Sequence, residues 1–141
     1  GQDPKYLNRK SDNGEKAIYN IFHIDKSKPV MITEGPIDAI FLENAIATLG
    51  VKFTKKVKQV LSELKCYYIF DNDGAGKKVA RTFLGEGEYI FNWKKYLKDF
   101  MIESPVKDIN DLIKIRNINM LSFQDLEKYF TNSNYDKVWF V

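Results

Sequence analysis

Short apolar runs alternate with helix-spaced stretches along most of this chain, and nearly every apolar run breaks on an acid or a glycine. Val30-Met31-Ile32-Thr33 reads as a strand that stops at Glu34-Gly35-Pro36. Pro36 suits the first turn of a helix, and Ile37, Ala39, Ile40, Leu42 and Ala45 carry that helix onward. Ala45–Leu49 reads as a small strand ended by Gly50, followed by a helix over about Lys55–Leu64. Tyr67-Tyr68-Ile69-Phe70 is the next strand, rich in β-formers, and it ends in Asp71-Asn72-Asp73-Gly74-Ala75-Gly76. Lys77–Leu84 has helical spacing, Gly85-Glu86-Gly87 is a turn, and Tyr89–Asn92 is a further strand. The tail predicts helices at Ile109–Ile115 and Ser122–Phe130. Before all of these, residues 5–20 read as a hairpin about the turn Ser11-Asp12-Asn13-Gly14. Strands alternating with helices predict an α/β domain with a mainly parallel central sheet flanked by helices. Residues 1–28 are expected to be a basic extension carrying the N-terminal β-hairpin, and residues 29–141 the domain proper.

Composition narrows the chemistry. A chain of 141 residues with 44% hydrophobic residues is long enough to bury a sizeable core. Charge is close to balanced, 22 Lys+Arg against 19 Asp+Glu, so the arrangement of charges matters more than the net value of +3. One cysteine (Cys66) and one histidine (His23) exclude a disulfide framework and a zinc site built within this chain. No apolar run approaches 18 residues and no signal-peptide pattern is present, so neither a membrane span nor secretion is indicated and a cytoplasmic location is expected.

Candidate chemistry sits at the strand tips. Alternate strand residues share a face, so Asp71 and Asp73 are expected to point the same way, and two such carboxylates repel unless a cation lies between them. Hard oxygen ligands favour Mg²⁺, Mn²⁺ or Ca²⁺. An ordinary helix cap accounts for the same residues with less chemistry. A calcium EF-hand does not fit, because Thr82 stands where the bidentate Glu belongs. Glu34, with Asp38 four residues on, repeats the pattern of an apolar strand, an acid at its tip and then a helix. Lys107-Asp108-Ile109-Asn110-Asp111-Leu112 supplies a third acidic cluster at the mouth of a helix. Each cluster alone could be a cap, but strand tips of a parallel sheet share one edge, so the three are expected to converge.

Taken in order, Glu34-Gly35-Pro36-Ile37-Asp38, Asp71-Asn72-Asp73-Gly74 and Lys107-Asp108-Ile109-Asn110-Asp111 resemble the TOPRIM domain, which is shared by primases, topoisomerases and some nucleases. Upstream, Pro4-Lys5-Tyr6-Leu7-Asn8 resembles the basic motif that precedes this domain in bacterial primases, which makes a phage-type replicative primase the nearest likeness. That resemblance implies a Rossmann-like TOPRIM fold and metal-dependent nucleotidyl transfer that makes RNA primers on a single-stranded DNA template from ribonucleotides. It further implies Mg²⁺ or Mn²⁺ as cofactor and a replicative helicase as a protein partner. Among the catalytic positions, Glu34 matches the glutamate that serves as general acid/base or metal ligand, and Asp71 and Asp73 match the metal-binding pair. Asp38 and Asp108 match further acidic positions of the metal site, while Asn110 stands where bacterial primases carry a second aspartate and Asp111, shifted one place along, is a candidate ligand beside it. Lys5, Arg9 and Lys10 on the hairpin, Lys77, Lys78 and Arg81 beside the central motif, and Lys107 are the candidate nucleic-acid or nucleotide contacts. Two other functions fit the same motifs: a TOPRIM nuclease cutting RNA or DNA, and a non-catalytic docking domain.

Overall fold

Pro29–Thr33 (β1) lies near the middle of the sheet, and its side chains alternate between two separate cores: Val30 and Ile32 enter one, Met31 the other. A strand that buries both faces must sit between two layers of helices. The computed structural model describes residues 18–48 and 55–141, and there the remaining strands are Ala45–Ala47 (β2), Lys65–Tyr68 (β3), Tyr89–Phe91 (β4) and Phe130–Thr131 (β5). Their order is β2-β1-β3-β4-β5. The first four run parallel, with Met31 opposite Ala45, Val30 opposite Cys66 and Tyr68 opposite Ile90; β5 closes the edge antiparallel, Phe91 opposite Phe130. This is the α/β architecture that the alternating pattern predicts, a mostly parallel sheet of Rossmann type.

The helices divide between the two faces. Pro36–Ile40 (α1), Trp93–Asp99 (α4), Ile109–Arg116 (α5) and Phe123–Leu126 (α6) bury Ala39, Tyr96, Leu112 and Leu126 in the core that holds Met31. Lys55–Leu61 (α2) and Gly74–Gly85 (α3) bury Val57, Leu61, Ala80 and Leu84 in the other, where Phe140 of the closing 3₁₀ helix Asn134–Phe140 joins them. From β1 the chain passes through α1 to β2 on one side; from β3 it passes through α3 to β4 on the other. Parallel crossovers keep one hand, so connections leaving in opposite directions place their helices on opposite faces. The crevice at such a switch point, beyond the carboxyl ends of β1 and β3, is where open sheets of this kind bind ligands.

Several elements depart from expectation. The helix beginning at Pro36 stops at Ile40 rather than running to Ala45. Asn44 adopts a left-handed backbone (φ 54°) and its side-chain amide donates to the carbonyls of Asp25 and Pro29, so it turns the chain directly into β2. The helix at Lys55 ends at Leu61. The third strand spans Lys65–Tyr68, not Tyr67–Phe70, so Asp71 and Asp73 lie beyond it and strand alternation does not govern their direction. The expected helix Ser122–Phe130 is the short α6, then a 3₁₀ turn Glu127–Tyr129 and β5. Helix α4 is an element that the pattern does not predict; Asn92 caps it by accepting from the Lys95 N–H at 3.0 Å. The hairpin expected over residues 5–20 falls mostly outside the described residues; within them, Ile18 and Ile21 are buried in the Val30 core and Tyr19 bridges Ala47 antiparallel. Among the described residues no helix is long and apolar enough to cross a membrane.

Candidate metal centre

The backbone on either side of Asp71 is held by hydrogen bonds to distant segments. The buried Trp93 indole N–H donates to the Phe70 carbonyl at 2.7 Å, continuing the strand's bonding past the end of β3. Asn72 donates twice across the crevice, from its backbone N–H to the Lys107 carbonyl at 2.6 Å and from its side-chain amide to the Val106 carbonyl at 2.9 Å. Gly76 then packs against Asp71 so closely that a Cβ at that position would lie 1.9 Å from the Asp71 carbonyl oxygen. Asp73 turns away to cap α3, accepting from the Gly76 N–H at 2.7 Å.

The other two acidic clusters reach the same crevice because α1 and α5 share a face of the sheet. Asp38, only 8% exposed, accepts from the Asn110 N–H at 3.0 Å, which stitches α1 to the first turn of α5. Asp108 caps α5 by accepting from the Asp111 N–H at 2.9 Å, and Asp111 in turn accepts from the Lys107 N–H at 2.9 Å. As a result Asp38, Asp71 and Asp108 each present a carboxylate oxygen within 4.8 Å of the others. Glu34, exposed at the tip of β1, is the like charge that acts most strongly on Asp71 and also acts on Asp38.

The electrostatics follow from that geometry. Burial pushes the Asp38 carboxyl up to about 6, and Asp108, Asp111 and Glu34 add repulsion, while the Asn110 N–H works the other way. Burial likewise raises Asp71 to about 6, with Glu34, Asp38, Asp108 and Asp73 contributing as like charges. Three oxygen donors with this much mutual repulsion fit a hard divalent cation such as Mg²⁺ or Mn²⁺. A pH dependence follows. Asp38 and Asp71 hold protons in the folded state up to about pH 6, well above the ordinary value of 3.8, so their favourable contribution is complete below about 3.8 and lost as pH rises through about 6. Melts in chelator are therefore expected to show the metal-free melting temperature falling between pH 4.5 and 7, with a shallower fall in Asp38→Asn. The Mn²⁺-induced gain should grow over the same interval, because protons compete for the ligands.

The remaining sequence-predicted residues have distinct settings. Asn110 turns its backbone N–H to Asp38, and Asp111 braces the Lys107 loop. Lys107 is exposed, while its backbone N–H and carbonyl are both bonded, to Asp111 and Asn72. Lys77 is half-buried and Lys78 exposed in the opening turns of α3, and the Arg81 guanidinium donates to the Phe140 carbonyl. Lys5, Arg9 and Lys10 lie outside the described residues. Asn72 and Trp93 were not singled out from sequence as site-building residues; the position of Asn72 between two aspartates was the available signal, whereas nothing local marks Trp93.

No curated protein matches this chain. Residues 31–113, more than half of it, match the Toprim-like family, whose domains bind divalent metals and occur in enzymes that transfer or cleave nucleotidyl groups. The matched span opens within β1 and closes within α5, taking in all three members of the carboxylate triad, and the chain belongs to the Toprim-like family.

Proposed function

We propose that this chain carries the catalytic domain of a phage-type replicative primase, joining ribonucleotides on a single-stranded DNA template. The observation that carries the reading is the convergence of Asp38, Asp71 and Asp108, from three separate segments, within 4.8 Å of one another. The upstream Pro4-Lys5-Tyr6-Leu7-Asn8 motif favours a primase over the other enzymes of the family.

Asp38, Asp71 and Asp108 would hold a divalent ion, which when bound stabilises the negative charge that builds on an attacked α-phosphate. Glu34 is exposed beside Asp71 and accepts the proton of the incoming 3′-hydroxyl as its oxygen forms the new bond to phosphorus. The bond from the α-phosphate to its bridging oxygen breaks, and pyrophosphate leaves with that electron pair. Lys77 and Lys78 in the opening turns of α3 and the exposed Lys107 just before α5 offer cationic contacts to triphosphate or template, and Lys5, Arg9 and Lys10 are further candidate phosphate contacts read from the sequence.

Incubation of the chain with single-stranded DNA, ribonucleotides and Mn²⁺ tests this. Short RNA products are expected, and Glu34→Gln should lower their yield by roughly 10²- to 10⁴-fold, the range for loss of a general base. Degradation of the template with no nucleotide incorporated would replace the primase reading with that of a nuclease.

A further inference from the structure

We infer that Asn72 is the positioning residue that gives this acidic centre its preference for a small divalent ion, a role that rests on the metal-holding reading of Asp38, Asp71 and Asp108. The three carboxylates come from segments that are not contiguous in sequence, so something must set their spacing. Between α1 and α5 that link is the Asn110 N–H donated to Asp38 at 3.0 Å. Between the tip of β3 and α5 it is Asn72, whose two N–H groups take the consecutive carbonyls of Val106 and Lys107 at 2.9 and 2.6 Å. The residue immediately after Asp71 is thereby tied to the two residues immediately before Asp108. Val106 is buried in the core with Leu112 and Ile109, so the far end of the clamp is fixed. Backbone conformation does not account for an asparagine here. The left-handed non-glycine positions among the described residues are Asn20, Asn44, Met101 and Asn117, and Asn72 is not one of them. What the side chain supplies is a donor of the right reach, which an aspartate lacks.

Mg²⁺ binds oxygen at about 2.0–2.1 Å with little tolerance, whereas Ca²⁺ accepts about 2.3–2.6 Å and irregular arrangements. Carboxylates prevented from spreading therefore favour the smaller ion, and releasing the clamp removes that advantage without removing a ligand.

Isothermal titration of the full chain with Mg²⁺, Mn²⁺ and Ca²⁺ reads this directly. In Asn72→Ala the Mg²⁺ and Mn²⁺ affinities are expected to fall at least about tenfold, the usual effect of removing a group that orients metal ligands. Ca²⁺ affinity should change little, so the Mg²⁺-to-Ca²⁺ ratio collapses. Asn72→Leu keeps the bulk, removes the donor and should give the same collapse; it carries the test should the alanine variant fail to fold. A residue needed only for folding would weaken all three ions alike, and an unchanged ratio in the variants overturns the inference. Wild-type protein that binds none of the ions would instead overturn the metal reading of the triad itself.

Discussion

Saturating Mn²⁺ is expected to raise the melting temperature of the wild-type chain by roughly 10 °C and to leave that of Asp71→Asn or Asp108→Asn almost unmoved. An ion that binds only the folded state stabilises it by about 2.7 kcal/mol at a hundredfold excess over its dissociation constant. For a domain of this size each kcal/mol is worth about 4 °C. The gain depends on the three oxygens that lie within 4.8 Å of one another, and replacing one with an amide removes both a charge and a ligand. The same replacement should raise the metal-free melting temperature near neutral pH, since Asp71 is both partly buried and surrounded by Glu34, Asp38, Asp108 and Asp73. Asp73→Asn provides the contrast. Asp73 is committed to the N-terminus of α3, and asparagine caps a helix about as well as aspartate, so its Mn²⁺ gain should be reduced least. A wild-type melt indifferent to Mn²⁺, or equal gains in wild type and Asp71→Asn, would remove the triad as a metal centre.

The acids were legible in the sequence because each falls where one element gives way to the next. Glu34 follows directly on β1, Asp71 closes the apolar run that contains β3, and Asp108 caps the start of α5, and a parallel sheet brings such boundaries to one edge. How the acids divide within that edge was not legible. Strand periodicity puts Asp71 and Asp73 on one face, but β3 ends at Tyr68 and the chain enters α3, which packs on the face opposite α1 and α5. Asp38 and Asp108 thus gather with Asp71, while Asp73 is drawn to the Gly76 N–H. That division is a consequence of crossover handedness, a property of the whole sheet and of no local window.

Partners distant in sequence decide the other departures too. The end of α1 is set by Asn44 bonding to Asp25 and Pro29, and the tail forms β5 because Phe130 finds Phe91 across the sheet edge. Tyr67 is likewise placed by distant partners: it lies among Tyr89, Phe123 and Phe130, contacts supplied by three other elements. Helix α4 is different. Asn92 as cap with Trp93, Tyr96 and Leu97 at helical spacing was readable locally, but the β-forming run Tyr89–Phe91 drew Asn92 into the strand reading.

Gly76→Ala should be among the most damaging single substitutions in the chain, and Gly74→Ala, two residues earlier in the same turn, should be mildly stabilising. A Cβ at Gly76 would lie 1.9 Å from the Asp71 carbonyl oxygen and 2.8 Å from its carbon, both backbone atoms that cannot rotate aside. Relief requires the first turn of α3 to withdraw from the tip of β3, which strains the Asp73 cap and shifts the backbone that aims the Asp71 carboxylate. Overpacking against fixed atoms together with a weakened cap amounts to about 2–4 kcal/mol, or a drop of roughly 8–16 °C. At Gly74 a Cβ meets nothing within 4 Å, so alanine adds no clash and reduces the freedom of the unfolded chain, a gain of about 0.4–1 kcal/mol. The pair also separates stability from assembly of the site. Gly74→Ala should keep the full Mn²⁺-induced gain, whereas Gly76→Ala should lose most of it even at temperatures where the variant is fully folded. Similar melting curves and similar Mn²⁺ responses for the two would show that the close approach of α3 to Asp71 does not hold the carboxylate in place.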